Sequence, residues 1–297
     1  MKNYLAMALV LSALASAGLV AAQAGKPAAN DDSVVQADRA VVAAFEKGDR
    51  AALNKLLDAD FSWIDTDGIM WEKPDVFRAG LKPLVPSASD VKITEFKYGK
   101  VIWIQENQGN KFAAHFWVQR PEGWRLLHTN EIAVTPPEKG ANVRPDFAVP
   151  CINPCKEVPY KPISASEKAA LAGWQDQEEK NHDPHMGDNL IAVNSNSDGA
   201  ARAAAQAAGK PTSDTPAAAP NRPPVGAAPA LWVRTWDFGD SVVAIMLQPT
   251  YGGKAYWSSR IFANHNGFWK MEQSYHTTIA ASPRMTAVPT KVQQSSN

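Results

Sequence analysis

The chain has 297 residues, equal counts of Lys+Arg and Asp+Glu (30 each), 10 tryptophans and 2 cysteines. Zero formal net charge without a basic stripe excludes nucleic acid or an anionic membrane surface as the favoured partner. The length suits two domains of ordinary size, each able to bury its own core.

The chain opens on one positive residue, Lys2, followed by an apolar run from Leu5 to Ala22 and the small-x-small site Ala22-Gln23-Ala24. This pattern predicts a secretory signal peptide over 1–24, cleaved near Ala24, and a periplasmic or secreted mature protein. No later run is long and apolar enough to span a bilayer.

From Asp32 to Leu57 the apolar residues Val34, Val35, Ala37, Val41, Val42, Ala44 and Phe45 recur near the helical period. Gly48-Asp49 breaks this pattern, and 51–57 predicts a second short helix. A strand at Phe61–Asp65 is closed by the turn Thr66-Asp67-Gly68, and a helix opens at Trp71-Glu72-Lys73-Pro74 and runs to Leu81. Four strands follow: Val91–Tyr98, Lys100–Glu106, Phe112–Arg120 and Gly123–Val134. Helices first and an antiparallel sheet afterwards define an α+β unit over 25–134.

A Pro-rich linker, 135–162, carries Cys151-Ile-Asn-Pro-Cys155. In an oxidising compartment this spacing favours a local disulfide between Cys151 and Cys155, with a redox or copper role as the alternative. The order of elements then repeats over 163–282. A helix runs through Ala170, Leu171 and Trp174, and strands are predicted at Leu231–Phe238, Ser241–Gln248, Ala255–Ala263 and Phe268–Ile279. Residues 188–194 align without a gap on 59–65, which places Trp174 on Phe45. Gly267-Phe268-Trp269 matches Gly123-Trp124. A self-similarity longer than 100 residues marks a duplicated domain. An Ala/Pro-rich insertion at about 200–229 and a tail at 283–297 have no periodic pattern and predict disorder.

Leu57-Asp-Ala-Asp-Phe-Ser-Trp-Ile-Asp-Thr-Asp-Gly68, with the later Gly123-Trp-Arg-Leu-Leu-His-Thr-Asn130, resembles the nuclear transport factor 2-like (NTF2-like) superfamily. Its SnoaL-like and calcium/calmodulin kinase association-domain-like branches are the nearest in pattern. The resemblance implies two cone-shaped domains, each a strongly curved antiparallel sheet wrapped around a long N-terminal helix, with an apolar cavity at the open end. It also implies association in pairs, here as an internal pseudo-dimer or as a homodimer.

Strand alternation places Phe61, Trp63 and Asp65 on one face, Trp124, Leu126, His128 and Asn130 on another, and His115 and Trp117 on a third. A carboxylate and an imidazole in an apolar pocket suit base and acid roles, which makes Asp65, His128 and His115 the catalytic candidates. The alternative for Asp65 is organisation of its own turn, and for His128 a satisfied, half-buried ring. In the second half Asn194 and Gln273 replace Asp65 and His128 by amides that move no proton at neutral pH. Trp63, Trp117, Asn130, Asn194, Arg260, Gln273 and Tyr275 complete the candidate ligand-binding set. His182-Asp-Pro-His185 is too sparse a donor set for zinc and reads better as a polar helix exit.

No nucleotide loop, nucleophile elbow or zinc-protease motif is present in the sequence, so no cofactor and no metal is expected. The expectation is an exported protein binding a small apolar or aromatic molecule or a peptide segment. A cofactor-independent isomerase or lyase acting from the first domain, and a structural assembly module, are the alternatives.

Overall fold

The computed structural model describes residues 32–134, 160–180, 185–195, 230–248 and 255–279. The segment 1–24 expected to be a signal peptide, Cys151, Cys155 and their expected disulfide, most of the Pro-rich linker, His182, the stretch 200–229 and the tail lie outside the described residues.

Helix α1 (Asp32–Lys47) buries Val34, Val41, Val42, Ala44 and Phe45, the stripe expected from the 3.6-residue period. It ends where Gly48 takes a left-handed φ of 68°. The Asp49 carboxylate then accepts from Ala52 N at 3.0 Å and caps α2 (Arg50–Leu56). Strand β1 (Leu57–Ile64) begins directly after α2, four residues earlier than expected. Trp71 and Glu72 belong to a short strand, β2 (Met70–Glu72), rather than to the next helix, because β2 pairs antiparallel with β1. Helix α3 (Lys73–Ala79) carries Pro74 in its first turn and stops at Gly80 (φ 63°). The meander β3 (Lys92–Tyr98), β4 (Val101–Gln108), β5 (Lys111–Arg120) and β6 (Gly123–Ala133) completes the first sheet.

The second sheet follows α4 (Ala165–Lys180), a helix that starts with a reciprocal cap. Glu167 N donates to Ser164 Oγ at 3.1 Å, and the Glu167 carboxylate accepts from Ser164 N. Its strands are β7 (Met186–Asn194), β8 (Trp232–Asp237), β9 (Ser241–Gln248), β10 (Tyr256–His265) and β11 (Phe268–Thr278).

The protein is thus α+β, with four helices and two sheets among the described residues. The sheets are mixed rather than purely antiparallel: β1 runs parallel to β6, and β7 to β11. The three hairpins from β3 to β6 return the last strand beside the first in the same direction.

The strand orders are β2-β1-β6-β5-β4-β3 and β7-β11-β10-β9-β8, so five strands of the first sheet and all five of the second follow one order. Registers correspond too. Ser62 opposes His128 and Phe116 opposes His128; in the second sheet Ile191 and Ile261 both oppose Gln273. Each last hairpin carries a bulge at the same place, at Leu127 and at Glu272. The gapless alignment of 188–194 on 59–65 is the register that the strands adopt.

Each sheet is covered by its helix on one face and by the other sheet on the second. Val34, Val42, Phe45, Trp63, Ile102, Ile104 and Trp117 form the core under α1. Leu171, Trp174, Val242, Ala244, Met246 and Phe262 form the core under α4. Between the sheets lie Ile64, Trp103, Phe116 and Leu127 from one, and Trp236, Val243, Ile245, Trp257 and Tyr275 from the other. This double coverage is why β4 and β9 read as continuous apolar runs instead of alternating. No helix among the described residues is long and apolar enough to cross a membrane.

Candidate functional site

The bulge at Leu127 decides which side chains of β6 meet which layer. Leu126 packs in the core under α1, whereas Leu127 packs between the sheets. The inserted residue reverses the alternation beyond it. His128 and Asn130 therefore face the second sheet, and simple alternation, which put them with Trp124 and Leu126, is corrected at this point. Glu131 returns to the α1 side, where its Oε1 accepts from Leu84 N at 2.6 Å.

On that side four elements, α1, β4, β5 and β6, bring four ionisable groups together. Asp38 projects from the buried stripe of α1 and is completely enclosed. Its Oδ1 lies 2.8 Å from His115 Nδ1 on β5 and accepts from Trp117 Nε1 at 2.6 Å. Glu106, Ala113 and Glu131 form one cross-strand row over β4, β5 and β6, next to the row of Ile104, His115 and Thr129. Donor atoms of Asp38, Glu106 and His115 all lie within 4.8 Å of one another. Asp38 Oδ2 and Glu106 Oε2 are buried with no donor group turned to them, and a proton on Glu106 lets the two carboxyls hydrogen-bond to each other.

The electrostatics follow from burial among like and unlike charges. Burial pushes the Glu106 carboxyl well up, His115 opposes this, and Asp38 adds to it. Burial alone would lower His115, but the Asp38 carboxylate beside it more than reverses that, so the imidazolium is favoured. Burial raises Glu131 to about 7, against the pull of the Leu84 N–H. The cluster holds protons that enter and leave near neutral pH. Over its end folds the stretch 80–91, pinned by Lys82 Nζ to Phe45 O and Glu46 O (2.9 and 2.6 Å) and by Ser87 N to Glu46 Oε1 (2.8 Å).

Of the residues singled out in the sequence, His115, Trp63 and Trp117 sit on this α1 side. Asp65 organises its turn: Oδ1 accepts from Asp67 N (3.0 Å) and Ile69 N (2.9 Å), and Oδ2 from Trp71 Nε1 (2.7 Å). His128 is enclosed between the sheets, with Nδ1 2.9 Å from Ser62 Oγ and Nε2 2.8 Å from Ser259 Oγ. Asp65 and His128 thus occupy different layers and form no dyad. Burial first, then Arg234 among nearby charges, takes His128 down to about 3, which keeps the ring neutral.

Asn130, Gln273 and Tyr275 share that middle layer and hold the sheets together. Asn130 Nδ2 donates to Ser259 Oγ (2.8 Å), Thr277 Oγ1 donates to Asn130 Oδ1 (2.6 Å), and Gln273 Nε2 donates to Tyr98 OH (2.7 Å). The Tyr275 hydroxyl bonds Gln105 Oε1. Asn194 ends β7, opposite His276.

Arg260 stands in the second sheet where His115 stands in the first, each five strand pairs from an equivalent hairpin turn. It donates to Ser274 Oγ (3.3 Å), Met246 Sδ (3.2 Å) and Gln248 Oε1 (3.1 Å) and lies over the Trp174 ring. Glu167 stands seven residues before Trp174, as Asp38 stands seven before Phe45. Its carboxylate, however, accepts from Tyr160 OH, Ile163 N and Thr235 Oγ1. The second sheet therefore fills its helix side with groups that satisfy one another.

Asp38 is a candidate site residue that the sequence analysis does not single out. Its signal was present: an aspartate at the centre of the Val34/Val41/Val42/Phe45 stripe, four residues after Val34 and seven before Phe45, where every neighbour in the period is apolar.

No family model matches the sequence, and no curated protein matches it. Solved structures similar to it are NTF2-like proteins and calcium/calmodulin kinase association or hub domains, and each matches a single domain. An NTF2-like protein from Cytophaga hutchinsonii is 14% identical; the match covers 35% of this chain and 99% of that one, with a TM-score of 0.27. The S. rosetta CaMKII hub is 15% identical over 36% of this chain and 98% of its own, with a TM-score of 0.26. An NTF-2 like protein of unknown function from Silicibacter pomeroyi is 16% identical over 34% and 92%, with a TM-score of 0.26.

Proposed function

We propose that this chain is an exported protein of two tandem NTF2-like units that serve as each other's dimer partner, and that the first unit binds a small molecule on its α1 side. The bound molecule has an apolar or aromatic body, suited to a layer rich in Trp63, Trp117, Ile102 and Ile104, and a polar group that meets Asp38, His115 and Glu106. The observation that carries this reading is the asymmetry of the two units. The first holds a buried carboxylate–imidazole pair at 2.8 Å beside a second carboxyl with an oxygen that no donor group faces. At the same places the second holds Arg260, Met246 and a Glu167 spent on capping. A polar group open to a ligand on the helix side of one unit, against satisfied groups at the same places in the other, is what a binding unit and a supporting unit require.

The test is native mass spectrometry of the mature protein recovered from its own envelope. A reproducible extra mass is expected on the wild type and on Asp65→Asn, and is lost in His115→Asn. Retention of that mass in both Asp38→Asn and His115→Asn contradicts the reading.

A second reading, a cofactor-independent isomerase or lyase, is favoured by one observation: Glu131 at about 7 stands beside Glu106 and His115, both shifted upward, so acid and base forms coexist near neutral pH. It predicts a pH–rate profile whose limbs move when Glu131 is changed to Gln, with the fold intact by circular dichroism.

A further inference from the structure

We infer that Asp38, Glu106 and His115 form a binding site for one divalent first-row transition metal ion of the zinc class. The three donors come from α1, β4 and β5, so tertiary packing, not a local loop, gathers them. Their donor atoms lie within 4.8 Å of one another, a spread that a single ion can draw together. Two of the oxygens, Asp38 Oδ2 and Glu106 Oε2, are buried with no donor group turned to them, on residues that are 0% and 4% exposed. In the metal-free protein the Glu106 carboxyl, raised by burial, hydrogen-bonds to Asp38, and a cation bound by these two carboxylates and the imidazole takes the place of that proton.

The surroundings fit the same reading. The Trp117 indole N–H holds Asp38 Oδ1 at 2.6 Å, the outer hydrogen bond that orients a ligating carboxylate. In the metal-free protein His115 Nδ1 and Asp38 Oδ1 face each other at 2.8 Å across a shared proton. On binding, that proton and the Glu106 proton leave to solvent, and the lone pairs they occupied turn to the ion. One imidazole nitrogen with two carboxylate oxygens suits zinc and its neighbours. Calcium asks for six or more oxygens, and magnesium keeps most of its waters. Three protein ligands would leave one coordination position for water or a ligand.

The site does not depend on the organic ligand proposed above, because the metal alone is the probe. Chelator-treated full-length mature protein titrated with zinc chloride by calorimetry is expected to bind one ion per chain at this site and to gain thermal stability. Equimolar calcium or magnesium produces neither effect. Glu106→Gln, which replaces a carboxyl by a near-isostere, weakens the zinc Kd at least tenfold, whereas His185→Gln leaves it unchanged. Absence of stoichiometric zinc binding overturns the inference, as does a wild-type Kd in both Glu106→Gln and His115→Asn. X-ray absorption on the zinc-loaded wild type needs no variant. A first shell of one imidazole with oxygens supports the site, and a shell with sulfur or with two or more imidazoles places the ion elsewhere and overturns it.

Discussion

Asp38 shows how one residue sets the charge of a whole layer. An aspartate enclosed under α1 is tolerable only because His115 and Trp117 both turn to its Oδ1. Truncation to Ala leaves the imidazole buried without its counter-charge. Asp38→Ala is therefore expected to lower the unfolding free energy by about 3–5 kcal/mol in urea titrations, the range for breaking a buried pair. A change below 1 kcal/mol would show that the pair is not formed. His128 behaves in the opposite way. Held at about 3 in the folded protein against 6.5 when unfolded, it stays neutral while the unfolded chain takes up a proton. Stability is thus lost as pH falls below 6.5, by up to about 1.4 kcal/mol per pH unit for this ring. His128→Gln, which puts in the first sheet the residue that Gln273 supplies in the second, removes that increment from the slope between about pH 6 and 4. Parallel urea titrations at each pH measure it, and an unchanged slope contradicts the assignment. His115 and Trp117 were legible as a pair because two residues apart on a strand means one face. Asp38 was overlooked because the helical stripe was counted by its apolar members alone.

At the scale of elements, the helices and strands were legible because each carries its own period, cap or turn. Strand faces were legible only up to the bulge. Leu126-Leu127 sets two apolar residues in succession and so interrupts the alternation, but only the pairing partners show that Leu127 is an inserted residue. That one residue moves His128 and Asn130 from the α1 side to the layer between the sheets. Strand β2 was missed for a related reason, since Trp71 and Glu72 lie next to the strong helix start Lys73-Pro74. Turns are informative where glycine has no substitute. Gly68 combines a φ of 74° with a position where an added Cβ would lie 2.8 Å from Cα of Ile279, the residue that follows the last strand. Its carbonyl also accepts from Trp257 Nε1 at 2.8 Å. Gly48 has a similar φ of 68° but open space around it. Gly48→Ala should cost only the left-handed backbone, about 1 kcal/mol, while Gly68→Ala adds a backbone clash between the two sheets and costs at least about 2 kcal/mol more. Thermal midpoints of the two variants test this; equal shifts would mean that the 66–68 turn does not dock on the second sheet.

At the scale of the molecule, the repeated order of elements was legible in the sequence, and the two sheets share one strand order and register. The way the units face each other could only be expected from the resemblance, since a sequence does not say which sheet face meets which. The middle layer is large and aromatic, with Trp103, Phe116, Trp236, Trp257 and Tyr275 buried and the His128–Ser259 and Gln273–Tyr98 bonds crossing it. A chain ending at residue 134 exposes that face. It is expected to dimerise or aggregate in light scattering, and a stable monomer would contradict the pairing.

The most direct test of the account is a pH titration of the histidine rings by nitrogen-15 NMR in the full-length protein. The account predicts that His115 remains protonated through neutral pH and becomes neutral there in Asp38→Asn, while His128 and His276 stay neutral down to about pH 4. A His115 ring that titrates at its ordinary value, or that ignores the Asp38 substitution, would contradict the charged site on which the function proposed for the first unit rests.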